Sequence, residues 1–263
     1  MREDGANRAA EALAGLYDLD LADDPGDLDL YLALAARTGG PILELGVGTG
    51  RLAVPLAAHG DEVTGVDLDP AMLDRARAAA RAAGPATARR LRLVEGDART
   101  IRLDDAGRYR LAAIPLNSIF LMGGRADQAA AVATLAAHLA PGGVAVIDAW
   151  LPDADDLSRY DGRVVLEWVR EEPGTGRTVT KTGSAVFDAT TGVVRLTTVF
   201  EAGLPGEPPA RWVRVDRLRL AGPDDLAGFA EAAGLQIETI AGGYDLEPLD
   251  AGAERVVVVA RRP

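Results

Sequence analysis

Ile42-Leu43-Glu44-Leu45-Gly46-Val47-Gly48-Thr49-Gly50-Arg51 decides the fold. A short apolar run gives way to three glycines at alternate positions, and a helical pattern follows over Leu52 to His59. Such a run, bounded by glycine, reads as a buried parallel strand. Glycine lets the backbone take positive φ and approach a ligand closely. The helix start behind it offers N–H donors to a negative group. Glycine turns between strand and helix also occur with no ligand, so the loop needs support from its neighbours.

The next two strand ends supply it. Val63-Thr64-Gly65-Val66-Asp67 belongs to the second strand, which spans Glu62 to Leu68, and Asp67 follows Gly46 by 21 positions. A carboxylate there can accept both ribose hydroxyls of an adenine nucleoside, as the acid about 20 residues on does in dinucleotide sites. Leu91 to Glu95 is the third strand, and Glu95-Gly96-Asp97-Ala98 ends it. An acid there can accept from the exocyclic amine of adenine. Either acid alone would serve as a helix N-cap; together with the glycine loop they outline a nucleoside site. NAD is the rival ligand, since it uses the same crevice. Gly46, Gly48 and Gly50 make G-x-G-x-G, however, and Arg51 stands where the dinucleotide fingerprint has its last glycine. Glu44 would repel a pyrophosphate but suits the ammonium of a methionine moiety.

These segments resemble the motifs of class I S-adenosylmethionine-dependent methyltransferases. Glu44 to Arg51 is similar to the first motif, Val66-Asp67-Leu68-Asp69-Pro70-Ala71-Met72-Leu73 to the second, and Gly96-Asp97-Ala98 to the third. Pro115-Leu116-Asn117-Ser118 sits where the fourth ends, and His138 to Gly143 resembles the segment before the fifth strand. Tyr109-Arg110 departs from the family, which has an aromatic followed by Asp there. The resemblance implies a seven-stranded, mostly parallel Rossmann-like sheet, order 3-2-1-4-5-7-6, with the last strand antiparallel. It implies S-adenosylmethionine as cofactor and S-adenosylhomocysteine as product. The cofactor would be held by Glu44, Gly46, Gly48, Gly50, Arg51, Asp67, Leu68, Met72, Gly96, Asp97, Ala98, Pro115 and Leu116, with Tyr17 over it and Tyr31 close behind.

The rest of the chain fits an α/β architecture. Ala9 to Leu16 and Leu28 to Thr38 read as helices around a crowd of acids: Asp18, Asp20, Asp23, Asp24, Asp27 and Asp29. Those acids are either a negative rim or solvated loop. Arg110 to Leu116 and Val144 to Trp150 read as the fourth and fifth strands, with a helix over Ala126 to Leu139. After Pro152 the pattern changes. Val164–Arg170, Thr178–Phe187, Val193–Glu201 and Arg211–Leu220 are rich in Val, Thr and aromatics, with turn signals and no helix between them. They predict a small antiparallel sheet. A helix from Pro223 and two strands, Leu235–Ile240 and Arg255–Ala260, then resume the core. The expected organisation is a core of residues 1–152 and 221–263 with an N-terminal helical lid, and an inserted β subdomain at 153–220. That insertion resembles the accessory sheet of bacterial small-molecule and sugar N-methyltransferases. It can roof the acceptor pocket or form a homodimer contact.

Composition narrows the partners. With 28 basic and 40 acidic residues the formal charge is −12, which repels phosphate backbones and argues against nucleic acid. The absence of cysteine removes disulfides, thiolate metal sites and a cysteine nucleophile, and no metal is expected. No signal peptide or membrane-length apolar run is seen, so a soluble cytoplasmic protein is expected. For proton transfer, His59 and His138 lie at helix ends that face away from the strands' carboxyl edge. Asp148 is then the leading base, Asn117 a positioning group for the acceptor, and Tyr17 a third catalytic candidate. The expected function is methyl transfer from S-adenosylmethionine to N or O of a small molecule, mainly by alignment. A NAD-dependent oxidoreductase and a non-methylating S-adenosylmethionine-binding protein are the alternatives.

Overall fold

The computed structural model describes residues 2–23 and 25–263, with side chains from residue 9 onward. Asp24, one of the N-terminal acids, lies outside the described residues. The chain runs α1 (Arg2–Asp20), α2 (Leu28–Thr38), β1 (Ile42–Leu45), α3 (Ala53–His59), β2 (Val63–Asp67), α4 (Pro70–Ala82), α5 (Pro85–Arg90), β3 (Leu91–Glu95) and β4 (Tyr109–Ile114). A 3-10 turn (Ser118–Leu121), α6 (Arg125–His138), β5 (Leu139–Trp150) and α7 (Ala154–Arg159) follow. Then come β6 (Asp161–Glu171), β7 (Thr178–Asp188), β8 (Val193–Gly203), β9 (Ala210–Arg219), α8 (Pro223–Ala232), β10 (Gln236–Ala241) and β11 (Arg255–Arg261).

Two compact units result: Asp24–Leu151 with Ala221–Pro263, and Met1–Asp23 with Pro152–Leu220. The first holds a seven-stranded sheet in the order β3-β2-β1-β4-β5-β11-β10. β1 to β5 are parallel, and β11 runs antiparallel to both β5 and β10. This is the α/β sheet that the family resemblance implies. Alternation along the strands sorts the core into two faces. Ile42, Val63, Leu111, Val144, Val146, Val257 and Val259 join Leu30, Tyr31 and Leu34 of α2 and Leu56 of α3 in one buried cluster. Because Glu44 and Asp148 lie two residues beyond Ile42 and Val146, alternation points both to that same face. α4 starts on a cap, with the Asp69 side chain accepting from Ala71 N and Pro70 in the first turn.

The second unit carries the sheet β6-β7-β8-β9, antiparallel throughout. Trp168, Lys181, Phe200 and Trp212 form one cross-strand row. Val179, Phe200 and Ala202 pack with Leu16 of α1, and Leu13, Leu19, Trp168 and Trp212 border that cluster. Leu166, Thr182, Val199 and Val213 form a row on the opposite face. There Val164, Leu166, Val169, Val213 and Val215 are exposed. Among the described residues, no helix is long and apolar enough to cross a membrane.

Several element boundaries differ from the sequence expectations. α1 reaches Asp20 and groups with the inserted sheet, not with the core. β5 begins at Leu139, ahead of the Pro141-Gly142-Gly143 break, because the end of β11 pairs there: Gly142 N donates to Arg262 O and Arg262 N to Gly143 O. α7 was not expected. Its signal is a reciprocal cap between Asp153 and Asp156.

Candidate functional site

At the carboxyl end of β1 the chain turns through Gly46, Gly48 and Gly50, with φ of 82°, 53° and 86°. These angles favour glycine. The loop is stitched to β2: Gly46 N and Val47 N both donate to Val66 O. A Cβ on Gly65 would stand 2.5 Å from Val47 Cγ2, so the loop lies flat on a strand position that only glycine can fill. Asp67 closes the corner. Its Oδ2 accepts from Gly48 N at 2.8 Å and its Oδ1 from Asp69 N at 2.9 Å. A carboxylate has about four acceptor positions, so both oxygens keep capacity for two hydroxyls.

Glu44 is buried within β1, and its Oε2 has no hydrogen-bond partner. Burial pushes the carboxyl up from an ordinary 4.5 to about 8, against the pull of Arg51 and helped by Asp27 and Asp67. A buried acceptor without a partner costs about 1–3 kcal/mol. A cationic N–H donor would relieve that cost. This orphaned oxygen therefore fits the ammonium of a methionine moiety. Arg51 is held in place by Asp27, a fully buried acid on which it places Nη1 and Nη2, each at 2.6 Å. Asp97, ending the third strand region, accepts from the Arg99 backbone and guanidinium, which hold its carboxyl below the usual range.

The fifth strand ends in a second buried acid. Asp148 is 0% exposed. Its Oδ2 accepts from Tyr31 Oη at 2.7 Å and Leu116 N at 3.1 Å; its Oδ1 accepts from Tyr244 Oη at 2.8 Å and Arg255 Nη1 at 3.0 Å. Arg255 also stacks over the Tyr244 ring, 4.7 Å from its centroid. Desolvation raises the Asp148 carboxyl, opposed by the Tyr31 and Tyr244 hydrogen bonds and by Arg255. Asn117 Oδ1 accepts from Trp150 N at 2.6 Å.

A methyltransferase-domain family model matches residues 42–143, from β1 into the start of β5. The chain is 28% identical over 233 residues to a cypemycin N-terminal methyltransferase of a Streptomyces species, spanning 85% of this chain and 84% of that one. It is also 28% identical over 239 residues to a dTDP-3-amino-3,4,6-trideoxy-α-D-glucopyranose N,N-dimethyltransferase of Streptomyces venezuelae, spanning 88% and 92%. The solved CcbJ methyltransferase of Streptomyces caelestis matches with a TM-score of 0.75 at 26% identity, over 92% of this chain and 91% of that. Residues 42–143 are thus a methyltransferase domain, and S-adenosylmethionine is its cofactor.

In this methyltransferase the expected cofactor residues cluster at one edge of the sheet. Glu44, the glycine loop, Asp67 and Asp97 all stand at the carboxyl ends of β1, β2 and β3. Leu68 is 65% exposed beside Asp67, an open apolar surface suited to a flat ring. Met72 and Ala98 are buried, and Pro115 and Leu116 follow β4. Tyr31 and Arg51 depart from their expected roles. Tyr31 is buried with its hydroxyl on Asp148, and Arg51 is forked onto Asp27. Asp148 departs as well: with four donors on its carboxylate, it is a buried hub and not an open base. Tyr17 lies on α1, in the other unit.

Neither histidine is at this edge. His138 is fully buried at the opposite one, where Nδ1 donates to Thr134 O at 2.7 Å and Nε2 accepts from Leu103 N at 3.1 Å. His59 closes α3 just before β2 and lies 3.3 Å from Asp61. Asp27, Gly65 and Arg255 are site residues that the sequence did not single out. Asp27 was one acid among six in a segment that reads as loop, and Arg255 one arginine at the start of an apolar strand. Of these three only Gly65, a glycine inside a strand pattern, carried a signal of close backbone approach.

Proposed function

We propose that this methyltransferase methylates an amine on a small molecule. The observation that carries the reading is that, among the described residues, neither the histidines nor Asp148 is open to take a proton from the acceptor. Both histidines sit at the other edge, and the leading carboxylate, Asp148, is taken up by four donors. An amine that enters as its free base brings its own lone pair, so it needs no base to start the reaction. The two curated relatives support the choice, since both are named for N-methylation.

When bound, S-adenosylmethionine supplies an activated methyl group on a sulfonium. The protein's part is to hold and align. Glu44 takes the ammonium, Asp67 the ribose hydroxyls and the Asp97 region the adenine, while Leu68 covers the ring. Asn117 steadies the acceptor. Alignment of this kind is worth about 7–11 kcal/mol of barrier in favourable cases. The exposed Val164, Leu166, Val213 and Val215 of the inserted sheet support a surface that an acceptor, or a second copy of the chain, would cover. The reading includes a soluble cytoplasmic enzyme with no nucleic-acid partner, which the charge of −12 supports.

The test is a panel of acceptors with S-adenosylmethionine: a dTDP-linked 3-amino sugar, a short peptide with a free N-terminus, and the hydroxyl analogue of each. Formation of S-adenosylhomocysteine and a mass gain of one or two methyl groups on amines alone is the expected result. Methylation confined to the hydroxyl analogues would overturn the amine assignment. Thermal stabilisation by NADH and none by S-adenosylhomocysteine would return the oxidoreductase.

A further inference from the structure

The segment after β4 is a tight turn of a demanding kind. Leu116 and Asn117 both have positive φ, 47° and 66°, and Ser118 N donates to Pro115 O at 3.1 Å. Two left-handed central residues make a type I′ turn, which favours Asn and Gly. A leucine in the first central position is strained, and such strain persists only where the surroundings enforce it.

Asp148 enforces it here. Its carboxylate takes the Leu116 N–H, its backbone carbonyl takes the Asn117 N–H at 3.3 Å, and the Asn117 side chain closes the circuit on Trp150 N. Behind the carboxylate stand Tyr31 from α2, Tyr244 from the segment after β10, and Arg255 from β11. Three separate parts of the fold thus fix one side chain. In front, the turn leans on the glycine loop: a Cβ on Gly46 would stand 3.1 Å from Ser118 Cβ and Oγ.

The Asn117 amide is oriented by this arrangement. The Trp150 N–H is a donor, so the Asn117 oxygen must face it, and the NH₂ is the end left for another group. Among the described residues no acceptor takes that NH₂. It is a donor at the carboxyl edge, three residues past the end of β4.

We propose that Asp148 is a positioning residue for methyl transfer, clamping the left-handed Leu116–Asn117 turn so that the Asn117 NH₂ meets an oxygen carried by the acceptor beside its amine. This rests on the amine reading above and narrows it: the preferred acceptor is an amine with a neighbouring hydroxyl, ether or carbonyl oxygen. Asp148 acts through the turn and does not take the substrate proton.

The experiment uses Asp148→Asn, Asn117→Ala and Tyr244→Phe in the full chain. Amide exchange is followed at Leu116 and Trp150, S-adenosylhomocysteine affinity by calorimetry, and turnover with an amino sugar and with cyclohexylamine, which has no oxygen. Asp148→Asn keeps the shape but cannot accept from all four donors. It is expected to speed exchange at both amides by about tenfold or more and to lower kcat by about ten- to a hundredfold. S-adenosylhomocysteine affinity should stay within about threefold, since Glu44, Asp67 and Asp97 are not among the Asp148 partners. Asn117→Ala should lower kcat/KM about tenfold more for the amino sugar than for cyclohexylamine. Wild-type exchange and kcat in Asp148→Asn would overturn the proposal, as would affinity falling in step with kcat. If Asp148→Asn does not fold, Tyr244→Phe removes one donor and keeps the charge pair; faster exchange at Leu116 supports the clamp and unchanged exchange overturns it. A wild-type chain that binds no S-adenosylhomocysteine would instead sink the methyl-transfer reading, and the exchange measurements would still decide the clamp.

Discussion

Glu44 sits where stability and function pull in opposite directions. Its carboxyl is pushed up to about 8 in the folded protein, chiefly by burial, from an ordinary 4.5. The folded state therefore holds that proton more tightly than the unfolded chain. The resulting stability is full below pH 4.5 and is lost as pH rises toward 8. Glu44→Gln removes the loss. Its melting temperature should exceed that of the wild type near pH 8, by an amount worth a few kcal/mol, and the gap should close toward pH 4.5. The same substitution should weaken S-adenosylhomocysteine by about tenfold, because a charge-assisted partner of its ammonium is gone. Wild-type binding at pH 7 should expel a proton, seen as a dependence of calorimetric heat on buffer ionisation. A melting difference that does not vary with pH would refute this account of Glu44. The acid was visible in the sequence because it stands just before the glycines. Its buried counterparts Asp27 and Asp148 were less so, since a carboxylate's partners come from elsewhere in the chain.

Elements carry the glycine loop. Gly65 on β2 is the floor beneath Val47, and a Cβ there would lie 2.5 Å from Val47 Cγ2 and 2.8 Å from its Cβ. Gly65→Ala should force the loop off the strand, destabilise by about 1–3 kcal/mol, and weaken S-adenosylhomocysteine as Gly48 moves from Asp67. Adding Val47→Ala should restore much of both, because it removes the atoms in conflict. A double variant no better than Gly65→Ala, by melting and calorimetry, would show that the contact is not the cause. Strand–helix alternation was legible from Ile42 to Trp150 because parallel strands buried on both faces are short apolar runs. β5 was read short: Pro141-Gly142-Gly143 is a local stop signal, yet pairing with the end of β11 carries the strand through it. α5 and α7, six residues each, are too short to show a period.

On the scale of the whole molecule, α1 belongs with the inserted sheet. Asp20 at its end accepts from Lys181 Nζ at 2.7 and 2.8 Å and from Trp168 Nε1 at 2.8 Å, and Arg170 Nη1 donates to Leu19 O at 2.5 Å. Cations at a helix carboxyl end are favourable, and Lys181, the only lysine in the chain, is largely buried there. Asp20→Ala leaves Lys181 with Glu167 alone and should cost about 1–3 kcal/mol. α1 should become more susceptible to proteolysis, and Trp168 emission should move to longer wavelength as its indole loses that bond. Proteolysis and emission like the wild type would show that Asp20 does not hold the helix. The sequence placed these residues in two distant segments, an acidic crowd and a strand. Nothing local links positions 20, 168 and 181.

The amino-acid sequence by itself determined the core fold and the glycine corner at the end of its first strand. Both rest on short-range features: the apolar period of each strand, the glycines that allow positive φ, and acids at successive strand ends within 55 residues of one another. Tertiary structure alone decided what the buried acids do. Asp148 reads as a base in sequence because it ends a strand at the right edge. Folding brings Tyr31, Tyr244 and Arg255 onto it from positions up to 117 residues away. Removing a carboxylate from water demands donors, and which donors arrive is set by topology, not by neighbours in the chain. The same holds for Arg51 and Asp27, and for α1, whose partners lie on a sheet that begins some 140 residues later.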